Sequence, residues 1–233
     1  TNINDVLAYY NQIAAPKSSN LITDIGPNNN NGTIVGNITE HNDYLEWNQQ
    51  AYIDTNISFQ DILDSNGTGE YTLAAKIQYT GTDSQTYSAI FGGKEDNGGT
   101  EFFLGKNYGN TSLGLQDSEY ISSYINNPDI DIFNSTGRST SHTIIQIRTG
   151  TPGNYIHKTY IDGNEIAPTN SAFSGVNTSE KIVIGSEVEG NGYHFTGKIW
   201  QAIILKKAIN SNDATYFHNT MINDEILFNS NSI

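Results

Sequence analysis

Residues 160–166 read YIDGNEI, an Asp162-Gly163 pair set between two short apolar runs, and the reading of this stretch decides the fold. Two chemistries compete for it. A helix-flanked calcium loop spreads its oxygen ligands over about a dozen residues and closes on a Glu. Nothing after Glu165 continues such a series. A tight hairpin instead demands positive φ at its two central residues, which Asp-Gly supplies at little steric cost. Asp162 and Gly163 are therefore expected to be turn residues, with KTYI and EI as the strands they join.

The same texture extends outward in both directions. Short runs rich in Ile, Val, Thr, Tyr and Phe alternate in polarity and are punctuated by Gly, Asn, Asp or Pro. The clearest strands are YTLAAKIQYT (71–80), YSAIFGGK (87–94), EFFLGK (101–106), TSLGLQ (111–116), HTIIQIRT (142–149), YIHKTYI (155–161), KIVIGS (181–186) and GKIWQAIILKK (197–207). IGPNNNNGT (25–33) and EDNGGT (95–100) read as loops. NDVLAYYNQ, near the start, fits a short helix or a first strand, since periodicity does not decide over so few residues. NSNDATYFHNTMI (210–222) predicts a helix, with Asn210 or Ser211 as N-cap and Asp213 favourable in the first turn. The expectation is all-β: one two-sheet antiparallel sandwich with a short C-terminal helix, spanning residues 1–233 as a single domain.

Composition narrows the function classes. With 25 acidic and 11 basic residues in 233, the formal charge of −14 repels nucleic acid and anionic membrane surfaces. No run approaches the ~18 apolar residues that span a bilayer, so no membrane insertion is expected. The absence of cysteine removes disulfides, thiolate metal sites and Cys nucleophiles together. Thr1 at the start, with Met221 as the only methionine, reads as a domain excised from a larger protein or a processed form. Abundant Asn, Ser, Thr, Gly and Tyr with only 15% charged residues suit an extracellular, cell-surface or virion protein. Asn37, Asn56, Asn66, Asn134 and Asn177 each open an Asn-x-Ser/Thr triplet, a pattern that chance supplies readily in so Asn-rich a chain.

From about residue 5 to residue 221 the order of segments resembles the laminin G-like, or concanavalin A-like, jelly-roll family of lectin and glucanase-type domains. AYYNQ followed by LITDIGPNNNNGTIVGN resembles the family's opening strand, its Asp-containing loop and its short Gly-rich strand. AYIDT, YTLAAKIQYT and YSAIFGGK resemble the strands that come next. KTYIDGNEI resembles the Y-x-D-G-x hairpin, IVIGS the following Gly-ended strand, and FTGKIWQAIILKKAINSNDATYFHN the closing strand and helix. SHTIIQIRTG departs from the pattern, keeping His142 but carrying Ser141 where the family has Trp. The resemblance implies a two-sheet jelly roll that often binds through its concave sheet and rim loops. It implies no one activity, because the fold carries lectins, structural modules and hydrolases alike.

Catalytic signals are thin. Glycoside hydrolysis needs two carboxyls ~5–9.5 Å apart, which strand positions i and i+2 can supply. Glu187 with Glu189 and Asp129 with Asp131 have that spacing, but neither pair has the third alternating acid of the glucanase members. Gln146-Ile147-Arg148 has Arg where alginate lyases have His. His142, His157, His194 and His218 lack zinc spacing, and no Gly-x-Ser-x-Gly turn occurs. The chain is accordingly read as no enzyme.

Binding signals are better. Aromatics in polar loops can stack on the apolar face of a sugar while neighbouring amides and carboxylates bond its hydroxyls. Tyr108, Tyr120, Tyr124, Tyr155, Tyr193 and His194 fit that description, whereas Trp47 and Trp200 lie in strand-like context and read as core. Structural calcium is the one cofactor expected, with Asp24 singled out by the family resemblance and Asp96, Asn97 and Glu101 as a second cluster. The expected function is non-catalytic recognition of a glycan or cell-surface receptor. A structural domain that homo-oligomerises within a larger assembly is the rival, and a glycan-cleaving enzyme the third reading.

Overall fold

The computed structural model describes residues 2–15, 18–48, 50–82, 87–94, 102–106, 113–117, 122–124, 132–133, 137–151, 154–171, 181–186 and 193–227. Strands β1 (Val6–Asn11), β2 (Leu21–Ile22), β3 (Gly32–Val35), β4 (Ile38–Glu40), β5 (Leu45–Asn48) and β6 (Tyr52–Ser58) precede helix α1 (Phe59–Asn66). Then come β7 (Tyr71–Tyr79), β8 (Ser88–Lys94), β9 (Phe102–Lys106), β10 (Leu113–Asp117), β11 (Ser122–Tyr124), β12 (His142–Thr151), β13 (Asn154–Ile161), β14 (Asn164–Ser171), β15 (Lys181–Ile184), β16 (Thr196–Leu205) and α2 (Ser211–Ile222). They form two antiparallel sheets. One runs β14-β13-β12-β7-β16-β5-β4, with β1 also on β16, and the other β11-β10-β9-β8-β15-β6-β3-β2.

The Asp-Gly turn is where the sequence places it. Ile161 pairs with Asn164 across a two-residue loop, and Asp162 (φ 50°) and Gly163 (φ 78°) both take the left-handed conformation. The β14 side of this hairpin carries a bulge, since Thr159 pairs with Ile166 and His157 with Thr169, leaving Ala167 and Pro168 opposite Lys158. An edge strand is where a sheet tolerates the missing N–H of proline.

Alternation along β7 explains the core. Leu73, Ala75, Ile77 and Tyr79 enter the apolar layer between the sheets, beside Ile144 and Ile204 of the flanking strands. Ala74 points the other way, into a second cluster with Ile145, Ile203, Phe217 and Met221 under α2. Phe217 and Met221 are fully buried, and burial of each contributes roughly 1.5–3 kcal/mol toward holding α2 on the sheet. Asn210 caps this helix, accepting from Asp213 N at 3.0 Å.

Two elements go beyond the sequence reading. NDVLAYYNQ resolves into β1, whose six residues are all buried because both faces are covered, and this double burial is what erases the period. Helix α1 was not expected. Ser58 and Asp61 form a reciprocal capping box, Phe59 and Ile62 supply one buried face, and Gly67 (φ 69°) ends the helix.

Candidate functional site

Of the expected ligand-contact residues, Tyr193 and His194 lie on the connection that leads into β16. Tyr193 is exposed, and its ring stands 4.0 Å from that of Tyr87. The backbone oxygen of His194 accepts from Ser88 Oγ at 3.2 Å, and burial pushes its imidazole pKa below the usual value. Tyr108 and Tyr120 lie outside the described residues. So do Asp96, Asn97, Glu101 and the acid pairs Glu187/Glu189 and Asp129/Asp131, while Tyr124 belongs to β11 with its side chain outside them.

Tyr155 is a correction. The β12–β13 ladder continues to Thr151 and Asn154, so Tyr155 sits inside it and faces the core, 1% exposed. Its hydroxyl donates to Thr68 O at 2.8 Å. Its ring packs 4.5 Å from the guanidinium of fully buried Arg148, with Tyr71 on that group at 4.4 Å. Arg148 donates through Nε and Nη2 to Gly69 O, at 2.9 and 2.6 Å. Tyr155 is thus part of a buried cation–π tier, with no face left for a surface ligand.

Asp24 is held by backbone amides. Its Oδ1 accepts from Tyr9 N (2.8 Å) and Gly26 N (2.7 Å), its Oδ2 from Asn30 N (2.8 Å), and its own N–H donates to Asn31 Oδ1 (2.9 Å). A carboxylate that accepts from three backbone N–H donors directs much of its charge to those amides. Asp24 is the clasp that folds the Asn-rich loop against β1. Among the described residues no three His, Asp or Glu side chains gather as a metal would require.

The aromatic surface that the structure does assemble involves residues the sequence reading passed over. Strand β16 pairs with β5 over Thr196–Ile199 and with β1 over Gln201–Leu205. Against β7, Ile199 faces Ile77 and Gln201 faces Lys76, so Trp200 is the bulged residue at the point where the partner strand changes. It lies half-buried on the outer face rather than in the core, which corrects the expectation for this residue; Trp47 is core, as expected. Beside it is the turn 41–44 between β4 and β5, closed by His41 N donating to Tyr44 O at 3.0 Å. Buried Gln12 pins that turn, donating to Glu40 Oε1 (3.1 Å) and His41 O (3.2 Å).

The rings form a continuous array. His41 stacks on Tyr44 with centroids 4.3 Å apart, and Tyr44 stands 5.2 Å from Trp200. Lys198 Nζ lies 4.6 Å over the Tyr44 ring, and Lys76 Nζ lies 5.4 Å from the Trp200 centroid. Lys76 is itself buried and held by Asp224 Oδ1 (2.6 Å) and Ile222 O (3.2 Å), which gives the platform a fixed floor. The rim is polar: Asp43 Oδ2 accepts from Trp200 Nε1 at 3.3 Å, and Glu46 Oε2 pairs with His41 Nε2 at 3.0 Å. Partly exposed ring faces edged by carboxylates and an ammonium can stack on an apolar ligand face and hydrogen-bond its polar groups. The sequence held a signal for this. HNDYLEWN (41–48) sets Tyr44 among polar residues, and alternation in GKIWQ puts Trp200 on the face of Lys198.

This architecture defines a class, the two-sheet antiparallel β-sandwich, and known structures share it. A mutant of Trypanosoma rangeli sialidase displaying trans-sialidase activity aligns over 97% of this chain and 34% of its own, with TM-score 0.71 and 10% identity. The binding domain of botulinum neurotoxin DC aligns in a complex with rat synaptotagmin II over 95% of this chain and 52% of its own, with TM-score 0.67 and 15% identity. In a complex with SialylT it aligns over 94% and 52%, with TM-score 0.65 and 14% identity. The chain therefore spans about a third to a half of these proteins, and at such identities the likeness is one of fold. No protein-family model matches the sequence, and no curated protein matches it either.

Proposed function

We propose that this chain is a non-catalytic recognition module with a concanavalin A-like jelly-roll fold, which binds a glycan or a cell-surface receptor through the His41–Tyr44–Trp200 platform. The observation that carries this reading is the unbroken run of partly exposed rings with a hydrogen-bonding rim. It is supported by fold likeness to a neurotoxin binding domain solved with SialylT and with synaptotagmin. The module works at an extracellular, cell or virion surface, in keeping with its Asn-, Thr- and Tyr-rich composition.

A glycan array probed with the wild type and with a Tyr44→Ala/Trp200→Ala variant tests the proposal. Binding lost in the variant, with the melting transition retained, is the expected result. Undiminished binding would remove the platform from the reading. A silent array, together with stable self-association in light scattering, would favour a structural domain instead. The sialidase likeness motivates the second reading, a glycan-cleaving enzyme working through Glu187 and Glu189. Reducing-sugar release that disappears in Glu187→Gln would establish it.

A further inference from the structure

Far from the aromatic platform, a cleft of about 470 Å3 opens beside α1, a size within the range of small-molecule sites. Lys206, which lines it, follows Trp200 by about six residues along the β16 direction, or roughly 20 Å at about 3.3 Å per residue. Leu7 and Ile57 contribute the apolar part of the lining. The rest is polar: Asn28, Asn30, Asn56, Asp61, Asp64, Ser65 and Lys206.

The hydrogen bonds these residues already make determine what they have left to offer. Asn28 and Asn30 donate their amide N–H to the carbonyls of Val6 and Leu7, which leaves Oδ1 of each as an acceptor. Asp61 Oδ2 accepts from Ser58 N and Oγ, both at 2.7 Å, and Asp64 Oδ1 accepts from Gln60, so each keeps one carboxylate oxygen. Among the described residues the Lys206 ammonium and the Asn56 carboxamide make no side-chain hydrogen bond or ion pair. The walls are preset, because α1 is capped at both ends and the Asn-rich loop is clasped by Asp24.

We infer that this cleft is a second binding site, for a neutral, hydroxyl-rich ligand such as a saccharide unit, held by hydrogen bonds without stacking. Hydroxyls both donate and accept, so one ligand satisfies the carboxylate and amide oxygens together with the ammonium and the Asn56 amide. Two carboxylates repel a phosphate, and the ammonium repels a bare metal ion. Among the described residues no aromatic ring lines the cleft, which separates its chemistry from that of the platform. The inference does not depend on the platform being a binding site.

The test is a 15N–1H NMR titration of the full chain with lactose, maltose and cellobiose, run alongside calcium chloride and inorganic phosphate. The amides of Asn56, Asp64 and Ser65 are expected to shift with at least one sugar, equally in wild type and Trp200→Ala. Affinity at these amides should fall about tenfold in Asp64→Ala and in Lys206→Ala, the loss of one hydrogen bond to a charged group. Both changes are at solvent-accessible side chains, and a retained spectrum shows the fold intact. The inference is overturned if these amides do not move with any sugar, if they move only with calcium or phosphate, or if both variants bind sugar as the wild type does. Sugar shifts confined to residues 41–46 and abolished by Trp200→Ala would support the platform while overturning the cleft.

Discussion

Asp162 is more than a turn residue, and Asp162→Asn separates its two roles. Asn tolerates the positive φ of a two-residue hairpin as well as Asp does, so a purely conformational role predicts little change. The structure predicts a loss. His142 Nδ1 bonds Asp162 Oδ2 at 2.6 Å and Thr143 N donates to Oδ1 at 2.9 Å, tying the hairpin to the start of β12. A hydrogen bond to a charged group contributes about 1.5–3 kcal/mol when buried. Here the carboxylate side chain is 35% exposed and the imidazole 14%, so solvent screening reduces the expected cost to about 1–2 kcal/mol. For a domain of this size that lowers Tm by roughly 2–8 °C.

The pH dependence follows from the same pair. Burial pushes the His142 pKa down, but the Asp162 hydrogen bond and charge outweigh it, and the net shift is upward from 6.5. Burial pushes Asp162 up, but the His142 bond, Thr143 N and the charges of His142 and His218 bring it below 3.8. The His142 contribution is therefore full below about pH 6.5 and fades as pH rises through its folded value, while that of Asp162 is present above about pH 3.8 and fades below it. Thermal melts of wild type and Asp162→Asn should differ most between about pH 4 and 6.5, and less at pH 9. Equal differences at pH 5 and pH 9, or no difference at pH 5, would refute the charge-pair reasoning.

Asp24→Asn replaces an oxygen that faces amide donors with an NH2 group, and is expected to cost about 2–4 kcal/mol in chemical denaturation; a wild-type midpoint would contradict the clasp. Tyr155→Phe removes the bond to Thr68 O and should cost about 1 kcal/mol with glycan binding unchanged, whereas altered binding at wild-type stability would return Tyr155 to the ligand site. Calcium bound through Asp96, Asn97 and Glu101 should raise Tm relative to chelator by an amount that grows with calcium concentration. An unchanged midpoint would count against a calcium site at these residues.

Local sequence carried the fold because its signals are short-range. The Asp162-Gly163 pair needs only its own φ angles, α2 needs only its cap and the spacing of its buried residues, and strand alternation needs only near neighbours. The same alternation misleads where both faces are covered, as in β1, or where a ladder outlasts its turn residues, as at Tyr155. Alternation divides a strand into two faces but does not say which face another element will cover. Helix α2 covers the outer face around Ala74, Ile145 and Ile203 and stops short of Trp200. Trp200 thus lies half-buried on the outer face rather than in the core, and the bulge that carries it falls where β16 changes partner from β5 to β1. Its meeting with Asp43 spans 157 positions of sequence. Sequence alone therefore determined an all-β sandwich hinged on a two-residue turn; the tertiary structure decided where its aromatic rings converge, because that depends on which strands end up side by side.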